Sequence, residues 1–130
     1  MTTVLLDTHA VQWWTAEPAR LSRKASIALT DADEVAVAAI TWFELAWLAE
    51  HGRITVTVPV PAWLDRIAAT VRTVGITPAI AHRAVGLGDG FPGDPADRLI
   101  YATAVEQGWP LVTKDAALRR HRYPRPVTLW

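Results

Sequence analysis

The chain has 130 residues, no cysteine, and 13 Lys plus Arg against 13 Asp plus Glu, for a formal net charge of zero. That length fits one domain, residues 1 to 130, with a single substantial core, and 51% hydrophobic against 20% charged residues excludes a disordered chain. Disulfide frameworks, thiolate metal sites and thiol catalysis are excluded by composition; no apolar stretch approaches the roughly 20 residues of a membrane span and no secretion signal opens the chain, so a cytoplasmic protein is expected. Neutrality also argues against a passive, strongly basic nucleic-acid binder, whose affinity comes mostly from neutralising phosphates.

In chain order, Thr3 to Leu6 is a short apolar run ending at Asp7 and predicts a buried first strand. Helical spacing follows from His9 to Thr15, and Pro18 breaks it. Ser22 is a suitable N-cap for a helix to Thr30. Glu34 to Ala39 predicts the second strand, and Thr41 opens a helix ending near His51 and Gly52. The alternating stretch Ile54 to Val58 favours an extended segment, and Pro59 and Pro61 lead into a helix over Ala62 to Val71. Val74 to Thr77 predicts a third strand, followed by a helix from Pro78 to Val85. Gly86, Gly88, Gly90 and Gly93, with Pro92 among them, predict a mobile loop. A helix then runs from Asp94 and Pro95 to Gln107, Pro110 to Thr113 is the fourth strand, Asp115 starts a helical turn, and Val127 to Leu129 is a fifth strand candidate. Strands alternating with helices imply right-handed crossovers and a parallel sheet. Ligands in such sheets sit beyond the carboxyl ends of the strands.

Five acids fall at those ends. Asp7 follows the first strand, Glu44 lies in the first turn after the second, Asp94 and Asp97 open the helix before the fourth, and Asp115 follows the fourth. Capping explains some of them: Asp94 as N-cap, Pro95 at the first helical position and Asp97 at the third make a good helix start. Glu44 resists that explanation. In ITWFELAWLA, Ile40 to Ala49, only Thr41 and Glu44 lack a largely apolar side chain, and a carboxylate there is penalised by several kcal/mol unless a cation compensates. Thr41, three residues earlier on the same face, is placed to orient it. If Asp7, Glu44, Asp97 and Asp115 converge, each pair at about 4 Å repels by roughly 4 kcal/mol at an effective dielectric near 20. Such a pocket requires protonation or a cation, and hard carboxylate donors without cysteine or a zinc-spaced histidine pair suit Mg²⁺ or Mn²⁺. The natural chemistry is phosphodiester hydrolysis.

The motifs LLDTHA (Leu5 to Ala10), AAITWFELAWL (Ala38 to Leu48), DPADRLIYATA (Asp94 to Ala104) and LVTKD (Leu111 to Asp115), in this order and spacing, resemble those of PIN-domain ribonucleases, and more narrowly of VapC-type toxins. The resemblance implies a three-layer α/β/α sandwich around a parallel sheet and metal-dependent endonucleolytic cleavage of RNA. Carried over by position, Asp7, Glu44, Asp97 and Asp115 match the catalytic, metal-binding acids. Asp94 matches an acid behind them, and Thr8, Thr41 and Thr113 match the hydroxyls beside them. Similar sequences often carry histidine where this chain has Pro92, so any role of that side chain is absent here. The resemblance also implies a homodimer, a cognate VapB-like antitoxin that lays a cationic side chain among the acids, and contact with DNA only through that antitoxin. At least one of the adjacent Trp13 and Trp14 must lie near a surface, where it could line an antitoxin groove.

Among the bases, Arg98 and Lys114 beside the acids, and Arg119, Arg120 and Arg122 with Arg125, are candidate RNA contacts. His9 reads more readily as a packing or capping residue. A phosphatase of the haloacid dehalogenase type needs an aspartate where His9 stands. A receiver-like signalling domain needs adjacent acids at Asp7 and an acid after Val74 to Thr77; neither is present. An inactive scaffold is disfavoured because all four matched acids are present. A nuclease without an antitoxin stays open. Residues 1 to 50 hold seven acids and three bases, and residues 51 to 130 carry the compensating positive charge. Zero is thus a sum over separated patches.

Overall fold

The computed structural model describes residues 1–122 and 124–130. Its strands are β1 (Thr3–Leu6), β2 (Glu34–Ala38), β3 (Arg72–Val74), β4 (Leu111–Val112) and β5 (Thr128–Leu129); its helices are α1 (Thr8–Ala16), α2 (Arg23–Asp31), α3 (Ile40–Glu50), α4 (Val60–Ala68), α5 (Pro78–Val85), α6 (Pro95–Gln107) and α7 (Ala116–Arg120). The strands form one sheet in the order β3-β2-β1-β4-β5, every pair parallel. Chain direction across the sheet therefore reverses between β1 and β4. That switch point opens a crevice at the carboxyl ends of these two strands.

Alternation along the strands splits the core in two. Val4, Leu6, Val37 and Val112 point to one face with Val11, Leu29, Leu45 and Ile67. Leu5, Ala36, Ala38 and Leu111 point to the other, under Ile80, Ile100, Tyr101 and Leu118. The sheet thus has helices on both faces, the three layers expected of a parallel sheet whose strands are apolar throughout. Ser22 caps α2, Thr77 caps α5 and Asp94 caps α6 through side-chain oxygens, and α6 ends at Gly108, whose φ of 74° lies in the left-handed region that glycine adopts without penalty.

Two expectations change. β3 lies at Arg72–Val74 rather than Val74 to Thr77, because its position is set by pairing Ala36 with Arg72 and Ala38 with Val74. Helix α4 begins at Val60, earlier than Ala62. Ile54 to Val58 joins no sheet; it links α3 to α4 and buries Ile54 in the core. No helix is long and apolar enough to cross a membrane among the described residues.

Candidate active site at the switch point

Asp7 ends β1 and caps α1, and it is only 4% exposed. Its Oδ1 accepts the backbone N–H of Thr8 at 2.8 Å, and its Oδ2 accepts the hydroxyl of Thr113 at 2.7 Å. The same Thr113 oxygen accepts the backbone N–H of Asp115 at 3.0 Å. One threonine at the end of β4 therefore ties two acids together across the switch point. Asp115 uses Oδ1 to cap α7 through the N–H groups of Ala117 and Leu118. Being a cap does not exhaust a carboxylate, because the second oxygen is left over.

Glu44 projects from α3, half-buried. Thr8 donates its hydroxyl to Glu44 Oε1 at 2.5 Å and lies 3.2 Å from the Thr41 hydroxyl. Since the single Thr8 proton goes to the carboxylate, Thr41 is the donor in the second bond. Thr41 thus orients Glu44 only through Thr8, a correction to direct pairing along the helix. Burial raises the Glu44 pKa above the ordinary carboxylate value, the Thr8 bond opposes that, and the charges of Asp7 and Asp94 add to it.

Asp97, in the first turn of α6, shows how the acids are disposed. Its carboxyl is pushed up to about 7, first by burial and then by Asp7, Asp94, Asp115 and Glu44, all of which repel its charge. Four carboxylates from four separate segments therefore act on a fifth. Asp94 spends Oδ1 on the N–H groups of Ala96 and Asp97 at the start of α6. Among the described residues, no three acid or histidine side chains close on one point as a finished metal cage. The donor set fits a hard divalent cation: carboxylate and hydroxyl oxygens only, with a negative field concentrated on Asp97.

The basic candidates separate. Arg98 turns its guanidinium onto the backbone: Nε donates to Pro92 O at 2.9 Å, Nη1 to Ala84 O at 3.1 Å, and Nη2 to Gly88 O at 2.8 Å and Phe91 O at 3.2 Å. The guanidinium thereby anchors the glycine-rich segment, in which Leu87 and Phe91 are buried. Neighbouring glycines carried no signal for this clamp. Lys114 places Nζ 5.6 Å from the Trp13 ring centroid, and its backbone N–H donates to His9 Nε2 at 3.0 Å. That bond puts the His9 proton on Nδ1, 3.5 Å from Asp7 Oδ2. Arg119, Arg120 and Arg122 stand on and after α7, exposed. Trp13 is buried, whereas Trp14 is half-buried and lines a groove at the opposite, amino edge of the sheet with Val35 and Val71.

A doubly wound sheet with an acid array at its switch point defines a hydrolytic α/β domain. Residues 4–122 match the family described as "PIN domain". Over all 130 residues, and the whole of both chains, the sequence is 67% identical to "Ribonuclease VapC22" of Mycobacterium tuberculosis. The chain belongs to the PIN-domain family, among its VapC ribonucleases, and PIN nucleases are metal-dependent hydrolases. Its fold is that of VapBC2 from Rickettsia felis, solved with a promoter DNA fragment (TM-score 0.72, 14% identity, 99% of this chain and 100% of that one). It is also that of a toxin–antitoxin complex from Klebsiella pneumoniae (TM-score 0.68, 22% identity, 96% and 94%).

Proposed function

We propose that the chain is an endoribonuclease toxin that hydrolyses RNA phosphodiester bonds at the switch-point acids, acts in the cytoplasm, and is held in check by a cognate VapB-like antitoxin through which alone it meets DNA. The hydrogen bonds by which Thr8 joins Asp7 to Glu44 and Thr113 joins Asp7 to Asp115 at the switch point carry this reading. Asp7, Glu44, Asp97 and Asp115 would hold Mg²⁺ or Mn²⁺, which when bound supplies an acidified water and neutralises charge building on the phosphoryl oxygens. Asp94 stands behind them as the α6 cap. Thr113 holds the Asp7 carboxylate and the Asp115 backbone in one register, and Thr8, backed by Thr41, keeps Glu44 Oε1 occupied. Without the ion the Asp97 carboxyl is pushed up to about 7, by burial first and then by the neighbouring carboxylates, so a cation binding there would displace its proton. The apolar outer face of α3, with Phe43 67% and Trp47 43% exposed, supports a homodimer.

Incubation of the protein with a pool of cellular RNA tests the reading, in Mg²⁺ and in chelator, beside Asp7→Asn. Cleavage is expected in Mg²⁺ alone and only with Asp7 intact. Cleavage surviving both chelation and the substitution would sink the mechanism.

A further inference from the structure

Beside the acids lies a second concave site that hydrolysis itself does not use. Lys24 from α2, Arg119 and Arg120 from α7, and Arg122 beyond it line a groove of about 450 Å³, and Trp130, following β5, completes it. Among the described residues no Asp or Glu side chain lines this groove, and none of the four cations is ion-paired. Like charges gathered in a concavity repel, and an anion relieves them. Three are arginines, whose forked guanidinium suits phosphate oxygens.

The groove is continuous with the acids in two ways. Along the backbone, α7 carries Asp115 at its N-cap and Arg119 and Arg120 in its last turn. Its five residues rise only about 7.5 Å, so one strand reaches both without a detour. Through the packing beneath, His9 beside Asp7 packs 4.8 Å from the buried Trp13, and Trp13 packs 5.8 Å from Trp130. Arg20 and Lys114 lie over Trp13, at 4.4 and 5.6 Å from its ring centroid. Unpaired cations beside the groove-lining ring of Trp130 match single-stranded nucleic acid, whose phosphates take the charges and whose unpaired base stacks on the ring. A duplex keeps its base faces covered. An acidic peptide would satisfy the cations and leave Trp130 without a stacking partner.

We infer that this groove binds the single-stranded flank of the RNA next to the scissile phosphate, with phosphates on Lys24, Arg119 and Arg122 and a base stacked on Trp130. The inference rests on the ribonuclease reading above and is tested by binding, so that the two fail separately. The Asp7→Asn protein in chelator, which does not cleave, is titrated with a short fluorescein-labelled RNA single strand and with a duplex of the same sequence, and polyglutamate is added as competitor. Arg119→Ala with Arg122→Ala should make the dependence of log affinity on log salt shallower by about 1.4, two contacts at about 0.7 each. Trp130→Ala should weaken single-strand binding about tenfold and leave the salt slope unchanged. Affinity and slope untouched by these substitutions, or equal binding of duplex, would overturn the inference. Polyglutamate displacing as well as an RNA polymer of equal charge would assign the groove to an acidic protein segment instead. Groove-dependent binding without cleavage by the unsubstituted protein in Mg²⁺ would count against the nuclease reading alone.

Discussion

Thr8 opens α1 in a buried position, with its hydroxyl between that of Thr41 and Glu44 Oε1. A hydrogen bond to a charged group contributes about 1.5–3 kcal/mol, and here it holds Glu44, the acid that α3 brings to the switch point. Thr8→Val, close in shape, should lower the rate of RNA cleavage about ten- to hundredfold, while Thr8→Ser keeps most of it. Equal rates for the two variants would show that shape at this position matters and the hydroxyl does not. Arg98 sits next to Asp97 yet serves the backbone, with four carbonyls of the 84–92 segment around its guanidinium. Arg98→Ala should cost about 1–3 kcal/mol in urea denaturation, and Arg98→Lys should recover little, because an ammonium cannot reproduce the fork. Glu44 was legible from sequence because an acid amid ITWFELAWLA conflicts with burial. The partners of Glu44 and Arg98 were not, since Thr8 lies 36 positions from the one, and carbonyls carry no side-chain signature for the other.

At the scale of elements, strands and helices with strong patterns were legible and weakly patterned ones were not. β1 and β2 read directly, because strands covered on both faces are continuous apolar runs. β3 did not, because Arg72 and Thr73 are exposed and the strand exists by pairing with β2. Ile54 to Val58 has strand composition but follows α3 as a connection, anchored by Ile54. Helix α3 has apolar residues all round: Leu45 faces the core, while Phe43 and Trp47 face outward, Trp47 stacked 4.0 Å from His51. A helix of this kind is stable in water when its second face is also covered. Phe43→Glu combined with Trp47→Glu should leave the circular dichroism unchanged and shift the mass measured by light scattering from dimer to monomer. Persistence of the dimer would place the interface on another element.

At the scale of the whole molecule, neutrality conceals a separation of charge: acids meet at the switch point, and a basic groove lies one short helix away. That separation ties stability to pH. Asp97 is raised from 3.8 to about 7, by burial first and then by the neighbouring carboxylates, so the folded state binds its proton more tightly than the unfolded state does. Its stabilising contribution is therefore complete below about pH 4 and is lost as pH rises through about 7. Glu44, also raised, acts in the same direction. In chelator, the melting temperature should fall between about pH 5 and about pH 8. Asp97→Asn, which removes the charge the others oppose, should flatten that fall and raise the melting temperature near pH 8 by a few degrees. Adding Mg²⁺ should stabilise the unsubstituted protein more at the higher pH, where all the acids are ionised, and should stabilise Asp97→Asn less. Calorimetry of the two proteins at both pH values, with and without Mg²⁺, separates these effects. A melting temperature insensitive to both pH and Mg²⁺ would mean that the carboxylates do not share one field, and the metal-binding role assigned to them would fall with it.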